Sequence, residues 1–131
     1  MLTVSRHIEA PADAVWQVLV DTEAWPRWGP TVAGGEVDGD ALHLGATGRV
    51  ITPVGVPLPF TITEFESGRR WAWSVAGVPA TAHAVAPDGT GCRASMSAPW
   101  WAPAYLPVLA IALRRIDRMV TQRPDGGPGG S

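Results

Sequence analysis

The chain has 131 residues, 46% of them hydrophobic and 17% charged, enough for one compact domain and too few for two. Twelve acidic residues face ten basic ones, all arginine, for a formal charge of -2, which argues against a nucleic-acid partner; the lack of lysine excludes lysine-based Schiff-base chemistry. A single cysteine, Cys92, excludes an internal disulfide and any multi-cysteine metal site, and it points to a reducing, cytoplasmic location.

The first residues run into charge at Arg6 and Glu9 without an apolar core of signal-peptide length. Leu2 to Glu9 reads as a strand, and Pro11 then stands where a helix tolerates proline, with Asp13 near the positive end. Ala12, Val15, Trp16, Leu19 and Val20 recur at three- and four-residue spacing, so a helix is predicted over Ala12 to Val20. Two prolines in the stretch Thr22 to Pro30 leave room only for a short helical elbow. From Val32 to Ala98, β-branched runs broken by Gly, Pro and Asp predict an antiparallel meander. Its strands fall near Val32–Asp38, Thr47–Pro53, Leu58–Glu66, Arg70–Ala76, Thr81–Ala86 and Cys92–Ala98. Strand alternation places Phe60, Ile62 and Glu64 on one face, and likewise Trp71 with Trp73. After Pro103 the spacing of Leu106, Leu109, Leu113, Ile116 and Val120 predicts a helix over Ala104 to Gln122, with Pro107 in its first turn. Residues 123–131 read as a flexible tail. The uncharged run between Arg93 and Arg114 is interrupted by Pro99, Pro103 and Pro107, so no stable transmembrane insertion is expected.

Chemical motifs are sparse. His7, His43 and His83 stand far apart, without metal-ligand spacing, and neither a phosphate-binding loop nor a serine elbow is present; no metal or cofactor is expected. His83 lies among small residues in a strand, and two readings of it stay open: a hydrogen-bonded structural histidine, or a group facing a cavity and acting as ligand or acid/base. Glu64 is either an exposed edge carboxylate or a second acid/base group. Trp71 and Trp73 either pack in the core or stack on a planar ligand. The adjacent Trp100 and Trp101 cannot both point inward from an extended segment, which places at least one at the surface or at the rim of an opening where ligands enter.

The segments Ile8-Glu-Ala-Pro-Ala-Asp-Ala-Val-Trp-Gln-Val-Leu-Val-Asp21, Trp25-Pro-Arg-Trp-Gly-Pro30, Ile62-Thr-Glu-Phe-Glu-Ser-Gly-Arg-Arg-Trp-Ala-Trp73 and Leu113-Arg-Arg-Ile-Asp-Arg118 together resemble the polyketide cyclase/dehydrase branch of the START-like (SRPBCC) superfamily. The resemblance implies an α+β helix-grip fold over residues 1–122. In it a seven-stranded antiparallel sheet wraps a long C-terminal helix around a deep apolar cavity, with two short helices after the first strand. Such a cavity would take a lipid, polyketide or isoprenoid-like molecule, with Phe60, Ile62, Trp71, Trp73, His83, Met96, Trp100, Trp101, Tyr105 and Leu109 as candidate ligand contacts. A cyclase or dehydratase using His83, with Glu64 or Tyr105, is the alternative; a membrane-surface or partner-binding protein anchored at Trp100–Trp101 is a third. The largely apolar inward positions favour binding over catalysis. Either a monomer or a homodimer fits the sequence.

Overall fold

The structure is a computed structural model and describes residues 1–121. Strand β1 (Leu2–Ile8) leads through Pro11, in extended conformation, into helix α1 (Ala12–Val20), which buries Val15, Trp16 and Leu19. The elbow is a single helical turn, α2 (Trp25–Trp28). Its two tryptophans are buried, and both indoles hold α2 against α1: Trp25 Nε1–H donates to the Leu19 carbonyl at 3.0 Å and Trp28 Nε1–H to the Val18 carbonyl at 3.1 Å. A wide apolar side chain is thereby buried without stranding its one donor.

Six further strands follow: β2 (Gly34–Val37), β3 (Thr47–Ile51), β4 (Pro57–Glu66), β5 (Arg70–Val75), β6 (Val78–Asp88) and β7 (Gly91–Ala98). They form one seven-stranded sheet in the order β1-β7-β6-β5-β4-β3-β2, antiparallel at every pairing. The sixth strand runs longer than its β-branched pattern suggests, because backbone pairing with β5 and β7 carries it through Pro79 and Pro87. Gly48 of β3 lies across from Phe60; a Cβ there would collide with the Glu36 carbonyl and the Phe60 ring, so only glycine lets β2, β3 and β4 close around that ring.

Two β-bulges flank the Trp71–Trp73 stretch and decide which neighbours face inward. Between β4 and β5 the register moves by one residue between Ile62 and Glu64: Ile62 opposes Trp73, whereas Phe65 opposes Trp71. The extra residue reverses the alternation, so Phe65 turns toward the core, edge-on to Trp16, and Glu64 turns out. Sequence alternation had placed Glu64 on the face of Phe60 and Ile62; the bulge overturns that placement. Between β5 and β6, Val75 opposes Val78 but Trp71 opposes His83. An unbroken register from the same turn would set Trp71 against Ala82 and leave His83 on the outer face.

After β7 a 3-10 turn (Pro103–Tyr105) leads into α3 (Leu106–Thr121), so the final helix begins two residues later than its spacing predicts, with Pro107 in the first turn. Leu109, Ala112, Leu113 and Ile116 are buried against the sheet; Leu106 and Val120, at the ends of the expected stripe, are half-buried. Each of the larger three contributes about 2 kcal/mol by burial. The Arg6 guanidinium meets Asp117 at 2.6 Å and ties the helix to β1. This is the α+β helix-grip architecture. The expected tail, 123–131, lies outside the described residues. Among the described residues no helix is long and apolar enough to cross a membrane.

Candidate functional site

Where α2, the loop after it, β5, β6 and α3 converge, they enclose a chamber walled by Trp25, Trp28, Trp71, Trp73, His83 and Leu109, with Thr31, Thr81, Tyr105, Val108 and Ala112 completing it. The sheet supplies its floor through the two bulges and α3 its roof. The deep apolar cavity expected from the resemblance is mostly filled: the remaining free volume is about 30 Å³, room for one or two waters. The filling is aromatic. Trp25 stacks on Trp71 at 5.6 Å between ring centroids, Trp71 stacks on His83 at 4.1 Å, and Trp73 meets both Trp25 and Trp71 edge-on.

Polar groups in this chamber are few and connected. Trp73 Nε1–H donates to Thr81 Oγ1 at 3.0 Å, and Thr81 Oγ1 lies 3.2 Å from His83 Nε2. The Thr81 oxygen accepts from Trp73 and its hydroxyl hydrogen is free to donate to Nε2; in that arrangement the neutral imidazole carries its proton on Nδ1. That Nδ1 is buried without a hydrogen-bond partner, and so is Trp71 Nε1. Burial drives the His83 pKa down to about 3; the nearby Trp71 carbonyl, which makes no well-aligned bond, opposes this in part, and the Arg70 charge adds to it. His83 is therefore neutral at ordinary pH, and with the proton on Nδ1 it has one N–H without a partner.

The other candidates divide into two groups. Phe60, Ile62 and Met96 are buried beside the chamber, Met96 directly opposite His83 in the β6–β7 register, and Leu109 lies in its wall. Tyr105 is half-buried at the start of α3, and its hydroxyl lies 2.7 Å from Thr31 Oγ1. Glu64 is separated from this group: it is exposed on the outer face and paired with Arg70 at 2.9 Å. Both members of the adjacent tryptophan pair are exposed, Trp100 at 76% and Trp101 at 55%, and neither reaches the chamber. Trp101 instead lines an outer groove of about 240 Å³ with Val78, Pro79, Ala80, Ala102 and Tyr105. A second groove of about 210 Å³, bordered by Thr31, Val50, Leu58, Trp73, Ala80 and Tyr105, adjoins it. Tyr105 and Thr81 border both grooves and the chamber, so they form the partition between inside and outside.

Sequence reasoning missed Thr81, Thr31 and the contribution of Trp25 and Trp28 to the wall. A Thr-x-His pair facing a Trp-x-Trp pair across a hairpin was the available signal, and the β6 bulge concealed it. Among the described residues no cluster of His, Cys, Asp or Glu could hold a metal ion.

No curated protein matches the sequence. Solved structures share the fold at low identity. A protein from Nitrosomonas europaea is 18% identical, with 92% of this chain and 94% of that one covered and a TM-score of 0.68. The Aha1 dimer from Colwellia psychrerythraea is 14% identical over 92% and 96% of the two chains, with a TM-score of 0.65. DynU16, a protein of the dynemicin biosynthetic locus, is 19% identical over 94% of this chain and 48% of its own length, with a TM-score of 0.66. The model of the family described as polyketide cyclase/dehydrase and lipid transport matches residues 1–122, and the chain belongs to that family.

Proposed function

We propose that the protein binds a mainly apolar small molecule carrying one hydrogen-bond acceptor, such as a carbonyl, between α3 and the sheet. The observation that carries this reading is the buried, partnerless Nδ1 of neutral His83 in an otherwise aromatic and aliphatic wall, an N–H donor when Thr81 donates to Nε2. An orphaned buried donor costs about 1–3 kcal/mol, a cost that an acceptor on a ligand would cancel. Ligand pockets have this character, a largely apolar lining with a few placed polar groups. The chamber is too small for such a molecule in its closed form, so binding displaces Tyr105 from Thr31 and joins the chamber to the grooves outside.

Catalysis by His83 is less well supported. A general base works best with a pKa near the operating pH, whereas burial holds His83 far below it, and Glu64, its expected partner, lies on the other face of the sheet.

The test is titration of the neutral fluorophore N-phenyl-1-naphthylamine, followed by displacement with a planar aromatic ketone, into the parent and into Val108→Trp, which obstructs the chamber wall. Saturable binding in the parent and its loss in a folded Val108→Trp protein are expected. His83→Phe keeps the fluorophore and weakens the ketone about fivefold to tenfold, the effect of losing one hydrogen bond. No saturable binding in the parent, or equal binding by Val108→Trp, would refute the reading.

A further inference from the structure

Most of the large hydrophobic side chains exposed among the described residues gather at one end of the molecule. Val54 and Val56 sit in the β3–β4 connection, Val78 follows the β5–β6 turn, and Trp100 and Trp101 follow β7. Strand pairing brings these connections together. Ile51 opposes Pro57 and Phe60 opposes Val75, so the β3–β4 and β5–β6 tips project from the same edge of the sheet. Ser97 opposes Ala82 near the start of β6, so β7 also leaves the sheet at this end. The two grooves beside Tyr105 open here, one of them lined by Trp101 and Val78.

The side chains of this end carry no charge; the α-amino group of Met1 is brought there by the pairing of Leu2 with Ala98. Residues 50–63, 71–87 and 94–113 contain no Asp, Glu, Lys or Arg. The ion pairs Arg49–Glu36, Arg70–Glu64, Arg6–Asp117 and Arg93–Asp88 all belong to other parts of the sheet and helix. Charge-free tips bearing valine and tryptophan suit the boundary of a lipid bilayer, where an indole keeps its N–H in the hydrated layer and its ring among acyl chains. The lack of basic residues matches an uncharged lipid surface rather than an anionic one, which recruits lysine and arginine clusters. A protein lid across this end would close the groove mouths; a fluid lipid surface leaves them facing acyl chains.

We propose that this end docks on the surface of an uncharged bilayer, seating Trp100, Trp101, Val54 and Val78 at the interface so that an apolar molecule passes between lipid and groove without crossing water. The purpose of docking rests on the binding reading above, but docking itself is measured without a ligand.

The experiment is flotation with vesicles of phosphatidylcholine alone, and of phosphatidylcholine mixed with phosphatidylserine, alongside sedimentation velocity of the protein. The parent is expected to float equally with both vesicle types and to shift its tryptophan emission to the blue. Trp100→Ala and Trp101→Ala each lower the partition coefficient by about tenfold, from the apolar area withdrawn. Val54→Asp, at a side chain 84% exposed, lowers it at least as much while thermal unfolding stays at the parental temperature. Val108→Trp floats like the parent, so a failure of ligand binding and a failure of docking are read separately. Absence of flotation with phosphatidylcholine, flotation that requires phosphatidylserine, or parental partitioning by the folded tryptophan variants would overturn the proposal. So would a parental dimer that Val54→Asp converts to monomer, since a second copy would then cover this end.

Discussion

Neutral His83 should leave a distinct mark on the pH dependence of folding stability. In the unfolded chain its imidazole takes up a proton around its ordinary value of 6.5, whereas in the folded protein burial delays protonation to about 3. Between those limits the unfolded state binds one proton more than the native state, so stability is fully present above 6.5 and lost as pH falls. The limiting slope is about 1.4 kcal/mol per pH unit, and from pH 6 to 4.5 the integrated loss is roughly 2 kcal/mol. That interval isolates His83 among the shifted groups. His7, whose pKa is raised, acts above 6.5; the depressed carboxyls of Glu9 and Asp88 act below their ordinary 4.5 and 3.8. Urea unfolding followed by circular dichroism across the interval measures the loss, and His83→Phe, which keeps a ring on Trp71, should flatten it. A parental stability that is level between pH 6 and 4.5, or an equal slope in a folded His83→Phe protein, would show that His83 is not buried as a neutral group.

Leu113→Asp places an unpaired carboxylate under α3 where the side chain is 2% exposed, so the variant should lose the cooperative thermal transition or drop its midpoint by well over ten degrees. Gly48→Ala drives a methyl into the Glu36 carbonyl and the Phe60 ring and should cost at least about 3 kcal/mol in urea unfolding; parental stability would mean that β2, β3 and β4 do not close around Phe60. His7 is flanked by Glu9 at 2.6 Å and Asp88 at 3.0 Å, hydrogen bonds that raise its pKa, so its NMR-detected protonation midpoint should lie above 6.5 and return toward that value in Glu9→Gln. The tether it makes between β1 and the β6–β7 hairpin is intact below the raised midpoint and loosens as pH rises through it.

Much of the architecture was legible because periodicity and turn chemistry are local. The spacing of Val15, Trp16 and Leu19, the proline positions around α2 and α3, and the Gly and Pro breaks between strands each locate an element without knowledge of the rest. The chamber was less legible because its composition depends on register. Strict alternation assigns Glu64 inward, and the bulges reverse the outcome through backbone pairing that no side-chain pattern reports. The tightness of the chamber was hidden for a related reason. Trp71 and Trp73 could be placed on one face, but Trp25, brought by α2 to stack on Trp71, is what takes up the space. Trp100 and Trp101 show the limit of reasoning from extended geometry: at least one had to lie outside, and the turn around Pro99 and Ala102 puts both there.

The paired bulges also bear on how a site like this can change its chemistry. Each is one residue in length, and each sets the facing of everything beyond it on its strand. Deleting Thr63, the residue the bulge adds to β4, would leave Ile62 opposite Trp73, Glu64 opposite Ala72 and Phe65 opposite Trp71, so Glu64 would stay on the outer face. Deleting a residue at position 80 would likewise remove the extra residue of β6 and leave His83 opposite Trp71. At these two points the strands can thus lose a residue without any side chain changing sides. A register that ran through unbroken, with every residue kept, would instead bring an acid in or turn an imidazole out, while the order of strands and the grip on α3 stayed in place.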